Sequence, residues 1–274
     1  NRAKQLSEHI YVVTEVSHVE HVKSQLPELQ DDAFITEPAR RGTAGCIIAA
    51  LHHIQSRHEP GEPVAFLHAD HVIRDTEGFS YSFKLAAEAA VEHNKITLIG
   101  IEPASPSSAF GYIEKGTKVK DNALLYTVKG FKEKPEFDLA KQYLKSGHYL
   151  WNCGYFVGSV QTFVDAFEKF SPLWFGYYQQ LLETTDDQSY KKAYLSFEND
   201  AIDYALIERD SELLVVPASF DWMDVGSFSD VHKAVESDET GNHINCERIA
   251  IEDVENSLII NHEPEKQIGI IGLD

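Results

Sequence analysis

Cysteine, methionine and positive charge are all scarce in this chain of 274 residues. The three cysteines, Cys46, Cys153 and Cys246, are scattered with no CxxC pair. That excludes a disulfide framework or a paired-thiolate zinc site and fits reduced thiols in a cytoplasmic protein. Lys plus Arg number 24 against 44 Asp plus Glu, a net charge of −20. Surfaces that hold nucleic acid or anionic membrane need clustered cations, so neither partner is expected. No apolar run approaches the roughly 18 residues of a membrane span, and no charged-then-apolar leader opens the chain. GxGxxG, GxxxxGK[ST], HExxH and GxSxG are all missing. A dinucleotide fingerprint, a P-loop, a zincin and an α/β-hydrolase are thereby disfavoured. The only methionine is Met223 and the chain opens Asn1-Arg2-Ala3, so sequence upstream is expected.

What is present is an alternation of short β-branched runs with helix-like segments. Strands are expected at 9–14, 33–36, 64–67 and 96–101. Thr43 is the expected N-cap of a helix with Ile47, Ile48, Leu51 and Ile54 on one face, and a second helix is expected over 77–93. Further strands are expected at 110–114, 125–129, 155–160 and 213–216, with helices over 137–146 and 161–183. This alternation implies an α/β fold with right-handed crossovers and a mostly parallel sheet. From about residue 243, short apolar runs with turns suggest a second, β-rich unit. In such sheets ligands collect beyond the carboxyl ends of the strands. The segments to inspect are therefore 37–45, 68–71, 133–135 and 221–226, with Gly111.

Taken singly, these segments leave alternatives open. On an extended strand end His68 and Asp70 share a face and His71 points away. The group could be a buried strand end, a carboxylate for Mg2+, or a zinc site that lacks further ligands. Arg40-Arg41-Gly42-Thr43-Ala44-Gly45 is a small-residue loop that could bring backbone N–H groups to an anion or base edge, or simply a tight turn. Glu133-Lys134 could bind a sugar hydroxyl and a phosphate, or be a solvated turn. Asn152, between Trp151 and a glycine-containing stretch, offers both a donor and an acceptor to a hydroxyl-rich ligand, or is a satisfied core amide. Asp221 and Asp224 are further carboxylates, or belong to a helix cap with Ser227.

The order of these motifs is specific. Glu37-Pro38…Thr43-Ala44, Ala69-Asp70-His71-Val72-Ile73, Phe110-Gly111-Tyr112-Ile113, Phe131…Glu133-Lys134-Pro135, Trp151-Asn152…Gly154, Asp203-Tyr204-Ala205 and Trp222…Asp224-Val225-Gly226-Ser227 follow one another. The series resembles the bacterial mannose-1-phosphate guanylyltransferases from about residue 9 to the end. The resemblance implies a nucleotide-diphospho-sugar transferase fold, with a Rossmann-like, mostly parallel sheet in a nucleotidyltransferase domain over 1–240. It implies the start of a left-handed β-helix segment over 241–274. It also implies transfer of GMP from GTP to mannose 1-phosphate, with Mg2+ on Asp70 and Asp224 and a homodimer. By motif position Gly111, Glu133 and Asn152 would contact the mannose and Lys134 its phosphate. Glu37, Gly42, Thr43 and Ala44 would read the guanine. The family usually has Arg-Asn-Thr-Ala-Pro where this chain has Arg41-Gly42-Thr43-Ala44-Gly45, and Pro where it has His68. The glycine-rich loop with Arg and Lys that grips the triphosphate is expected upstream of Asn1. A different base or hexose phosphate, or a non-catalytic sugar-nucleotide regulator, are the rival readings.

Overall fold

In a computed structural model, residues 2–120 and 124–273 are described. Contacts divide the chain into two units: Asn1–Leu67 with Asp75–Phe220, and His68–Arg74 with Asp221–Asp274. The expected boundary at 240 lies inside the second.

The first unit opens with β1 (Val12–Glu15), α1 (Val19–Gln25) and β2 (Phe34–Glu37), and β1 pairs in parallel with β2. α2 (Gly42–Ile54) and β3 (Pro63–Phe66) follow, and β4 (His71–Val72) belongs to the second unit. Then come α3 (Thr76–His93), β5 (Thr97–Ile101), β6 (Gly111–Lys118), β7 (Tyr126–Lys132), α4 (Phe137–Ser146) and β8 (Tyr149–Ser159). α5 (Val160–Phe170), α6 (Pro172–Leu182), α7 (Asp187–Leu195) and β9 (Leu214–Pro217) complete the unit.

The main sheet has six strands in the order β3-β8-β5-β9-β7-β6, and β8 also pairs with β6. β5 and β9 pair in parallel, while β8 runs antiparallel to β3, β5 and β6, and β7 to β6 and β9. Strands β3, β5, β9 and β6 thus share one direction, with β8 and β7 interleaved against them. The core beneath includes the expected Ile47, Ile48, Leu51 and Ile54 of α2, with Phe163, Phe167, Trp174 and Leu181 from α5 and α6.

Local chemistry sets the element ends. Asp75 caps α3 by accepting from Gly78 N–H at 2.9 Å, and Ser159 caps α5 by accepting from Thr162 N–H at 3.0 Å. The helix expected over 161–183 is two helices. Pro172 has no N–H to continue the ladder, so α5 ends at Phe170 and α6 begins on the proline. Thr43 is not an N-cap, since α2 already begins at Gly42 and its cap is Arg41. The Thr43 hydroxyl oxygen instead accepts from Ile202 N–H at 2.8 Å.

In the second unit β10 (Met223–Asp224) pairs antiparallel with β4. α8 (Phe228–Ala234) follows, capped by Ser227. β11 (His243–Asn245) and β13 (Leu258–Ile260) pair in parallel, as do β12 (Ile249–Val254) and β14 (Ile268–Leu273). Buried Asn242 stitches these strands, donating to the Val254 carbonyl at 2.7 Å and accepting from Ser257 N–H at 2.9 Å. All three thiols are free. Cys153 is buried in β8, Cys46 lies half-buried on α2 and Cys246 half-buried after β11. Burial pushes both Cys46 and Cys153 up to about 12.

Candidate active site

Four of the expected residues converge in the first unit. Gly111, at the start of β6, lies opposite Asn152 of β8. Glu133, just past β7, turns its carboxylate toward Gly111, where a Cβ would collide with Glu133 Oε2. Glu133 Oε1 pairs with Lys134 Nζ at 3.3 Å, while Oε2 is buried and has no hydrogen-bond partner. Lys134 holds its backbone at φ 42°, a left-handed conformation that is costly for a side-chain-bearing residue.

Asn152 reaches this position through an irregularity in β8. Ile99 pairs with Tyr155 but Gly100 pairs with Asn152, which leaves Cys153 and Gly154 bulged out. Gly154 takes φ +71° there, and its N–H donates to Asn152 Oδ1 at 3.1 Å. Bulges of this kind re-aim side chains. The Asn152 Nδ2 donates to Asp203 Oδ1 at 2.7 Å, so both ends of the amide are oriented. The strand expected to begin at 155 thus begins at Tyr149, and Asn152 lies within it.

Burial raises the Glu133 pKa above the usual carboxylate range, and the nearby Asp203 carboxylate raises it further, against Lys134. A buried carboxylate oxygen without a donor is costly, so this site is built to receive a hydroxyl or N–H from a ligand. Two contributors had no role from sequence. Asp203 opens a single π-helical turn (Asp203–Ile207), and Glu208 accepts Glu133 N–H at 2.9 Å. Asp203 stood in the motif series; Glu208 carried no local signal.

The residues expected to read a base gather at the β2–α2 junction. Glu37, the last residue of β2, accepts from the Tyr194 hydroxyl of α7. Burial raises the Glu37 pKa in spite of that hydrogen bond. Gly42 has φ +70°, and a Cβ there would strike the Asp200 backbone. Ala44 N–H donates to the Asp200 carbonyl at 3.2 Å. With Thr43 bound to Ile202, the loop is tied to segment 200–202 and presents a fixed shape.

In the second unit Asp224 lies opposite His71 in the β4–β10 ribbon, and Val225 N–H donates to the Asp70 carbonyl at 3.2 Å. Directly paired residues of an antiparallel ribbon present side chains on one face. The Asp70 side chain is 61% exposed. Asp70 offers the hard oxygen donor that Mg2+ prefers, while the half-buried Asp224 is not among the ligand atoms that cluster around it. His71 does not point away as extended geometry predicted. Strand β3 ends at Phe66, and the turn after it brings ligand atoms of His68, Asp70 and His71 within 4.8 Å of one another.

The sequence profile described as nucleotidyl transferase matches residues 1–241. The chain belongs to this family. It is 34% identical over 242 residues to the xanthan biosynthesis protein XanB of Xanthomonas campestris pv. campestris strain B100, covering 84% of this chain and 50% of that protein. It is 31% identical over 275 residues to a mannose-1-phosphate guanylyltransferase of Klebsiella pneumoniae, covering 96% of this chain and 56% of that one. The chain thus spans about half the length of these curated relatives. A crystal structure titled mannose-1-phosphate geranyltransferase, from Thermus thermophilus, superposes with a TM-score of 0.80 at 23% identity. It covers 95% of this chain and 74% of that one, and shows the shared nucleotide-diphospho-sugar transferase fold. Among the described residues no helix is long and apolar enough to cross a membrane.

Proposed function

We propose that the full-length protein transfers GMP from GTP to mannose 1-phosphate, giving GDP-mannose and pyrophosphate. The observation that carries this reading is the orphan Oε2 of Glu133, buried against Gly111 beside Asn152 and Lys134. A carboxylate awaiting a donor, an oriented amide and a lysine make a binding set for a phosphorylated polyol. The names of the Klebsiella relative and of others in the family narrow that polyol to mannose 1-phosphate.

The chemistry asks little of the side chains beyond placement. A phosphate oxygen of the sugar phosphate bonds to the α-phosphorus of GTP, and the bond to the β-phosphate breaks with its electron pair leaving on pyrophosphate. The attacking phosphate is already ionised near neutral pH, so no general base is needed. Glu133 and Asn152 hold the hydroxyls, Gly111 leaves room for the ring, and Lys134 pairs with the phosphate. Glu37, Gly42, Thr43 and Ala44 shape the base pocket. Mg2+ held by Asp70 and Asp224 would neutralise phosphate charge on a chain whose own net charge is −20. We read the parallel pairs β11–β13 and β12–β14 as the first coils of a left-handed β-helix. The cytoplasm is the proposed compartment, supported by three unpaired thiols. The homodimer that the resemblance implies is checked by light scattering.

The test offers full-length protein GTP, ATP, UTP and dTTP with several hexose 1-phosphates. GDP-mannose from GTP and mannose 1-phosphate is the expected product. Little preference for GTP would overturn the guanylyl assignment.

A further inference from the structure

The ligand atoms of His68, Asp70 and His71 are close enough together, within 4.8 Å, for a transition metal to bridge them. The hydrogen bonding of His71 opposes that use. The indole N–H of Trp222 can only donate, and it donates to His71 Nδ1 at 3.0 Å. Nδ1 therefore carries a lone pair, and the single proton of the neutral ring sits on Nε2. That is the atom facing Asp70 Oδ1, 4.0 Å away. A metal-bound imidazole needs the reverse arrangement, with its lone pair on the metal and its N–H given outward to an acceptor. Coordination through Nε2 would require either an imidazolate or a flipped tautomer that sets N–H against N–H. The arrangement is also held mechanically. The Trp222 ring meets the imidazole edge-on, centroids 5.2 Å apart at 82°, and Met223 is in register with Val72 in the adjoining ribbon. His71 itself is buried.

We propose that Trp222 sets the metal preference of this cluster. By fixing His71 as the Nε2–H tautomer it withholds the imidazole from transition metals and leaves Asp70 to hard, oxygen-seeking cations. This rests on the reading of Asp70 as a cation ligand, but the two ideas fail separately.

Zn2+ affinity of the full chain is measured by competition with a chromophoric chelator, each protein against its His71→Gln counterpart. The comparison cancels the remaining histidines, of which the chain has 13 in all. Wild type and His71→Gln should bind Zn2+ equally. Trp222→Phe frees Nδ1 to take the proton, and should bind Zn2+ about 10–100-fold more tightly. The gain should vanish in Trp222→Phe/His71→Gln. A wild-type protein that loses Zn2+ affinity on His71→Gln, or a folded Trp222→Phe variant without the gain, overturns the proposal. Should Trp222→Phe not fold, nitrogen-15 shifts of the wild-type imidazole decide: a protonated Nε2 supports the proposal and a protonated Nδ1 overturns it. Mn2+ binding to Asp70→Asn examines the other reading. Retained Mn2+ affinity there would sink the metal role of Asp70 while leaving the zinc result to stand.

Discussion

Glu133 is the residue at which stability and binding pull in opposite directions. Its carboxyl titrates above the usual range because burial, and then Asp203, penalise the charge. A raised carboxylate pKa means that the folded state holds the proton more tightly than the unfolded one. Stability therefore falls as pH rises through that window, and the penalty is fully present above the folded pKa. Glu133→Gln should raise Tm at pH 7.5, and the gain should disappear near the ordinary glutamate value of about 4.3. Thermal melts at the two pH values check this; an unchanged or lower Tm at pH 7.5 counts against it. The same substitution should lower kcat/KM for mannose 1-phosphate by about 10–100-fold, the loss of one charged hydrogen bond of roughly 1.5–3 kcal/mol. Gly111→Ala should give a comparable kinetic loss, because its Cβ displaces the Glu133 carboxylate. Asp70→Asn should abolish turnover with the fold intact, since that side chain is largely exposed; near-normal turnover would refute the metal role. Residue identities at these positions were legible from the order of short motifs. Their partners were not, because Glu208 and Tyr194 reach the site from distant positions with no local pattern around them.

At the scale of elements, the bulge in β8 is the device that places Asn152. Gly154 supplies its left-handed turn, so Gly154→Ala should cost about 1–2 kcal/mol of stability. It should also raise KM for the sugar phosphate more than it lowers kcat. Denaturant unfolding and steady-state kinetics test both, and an unaltered KM would separate the bulge from binding. Periodicity read α2 and α3 well, because their apolar faces repeat at helical spacing. It ran α5 and α6 together because buried aromatics continue on both sides of Pro172. The strand start at Tyr149 was hidden by the polar Asn152, whose amide is bound within the strand itself.

At the scale of the whole molecule, charge dominates. With a net charge of −20 the compact state works against its own repulsion, which mobile ions screen. Raising NaCl from roughly 50 mM to roughly 0.5 M should therefore raise Tm, by ~2–4 °C for each kcal/mol of repulsion relieved. A Tm that falls with salt would mean that specific ion pairs outweigh the global field. The α/β class followed from alternating segments. The interleaving of β8 and β7 did not, since strand order depends on long-range pairing. Nor could local pattern show that His68–Arg74 joins the unit of Asp221–Asp274.

The three thiols hold a practical consequence. Thiolate is the form that reacts, and Cys46 and Cys153 are held at about 12 by burial, beyond the reach of ordinary maleimide chemistry. Cys246, on the unit that also carries Asp70 and Asp224, is partly accessible. A single fluorophore added to this unmutated chain should therefore land there. Its emission would follow the opening of that unit alone. Two of the three tryptophans, Trp151 and Trp174, weight intrinsic fluorescence toward the other unit, so both can be followed with no engineered cysteine.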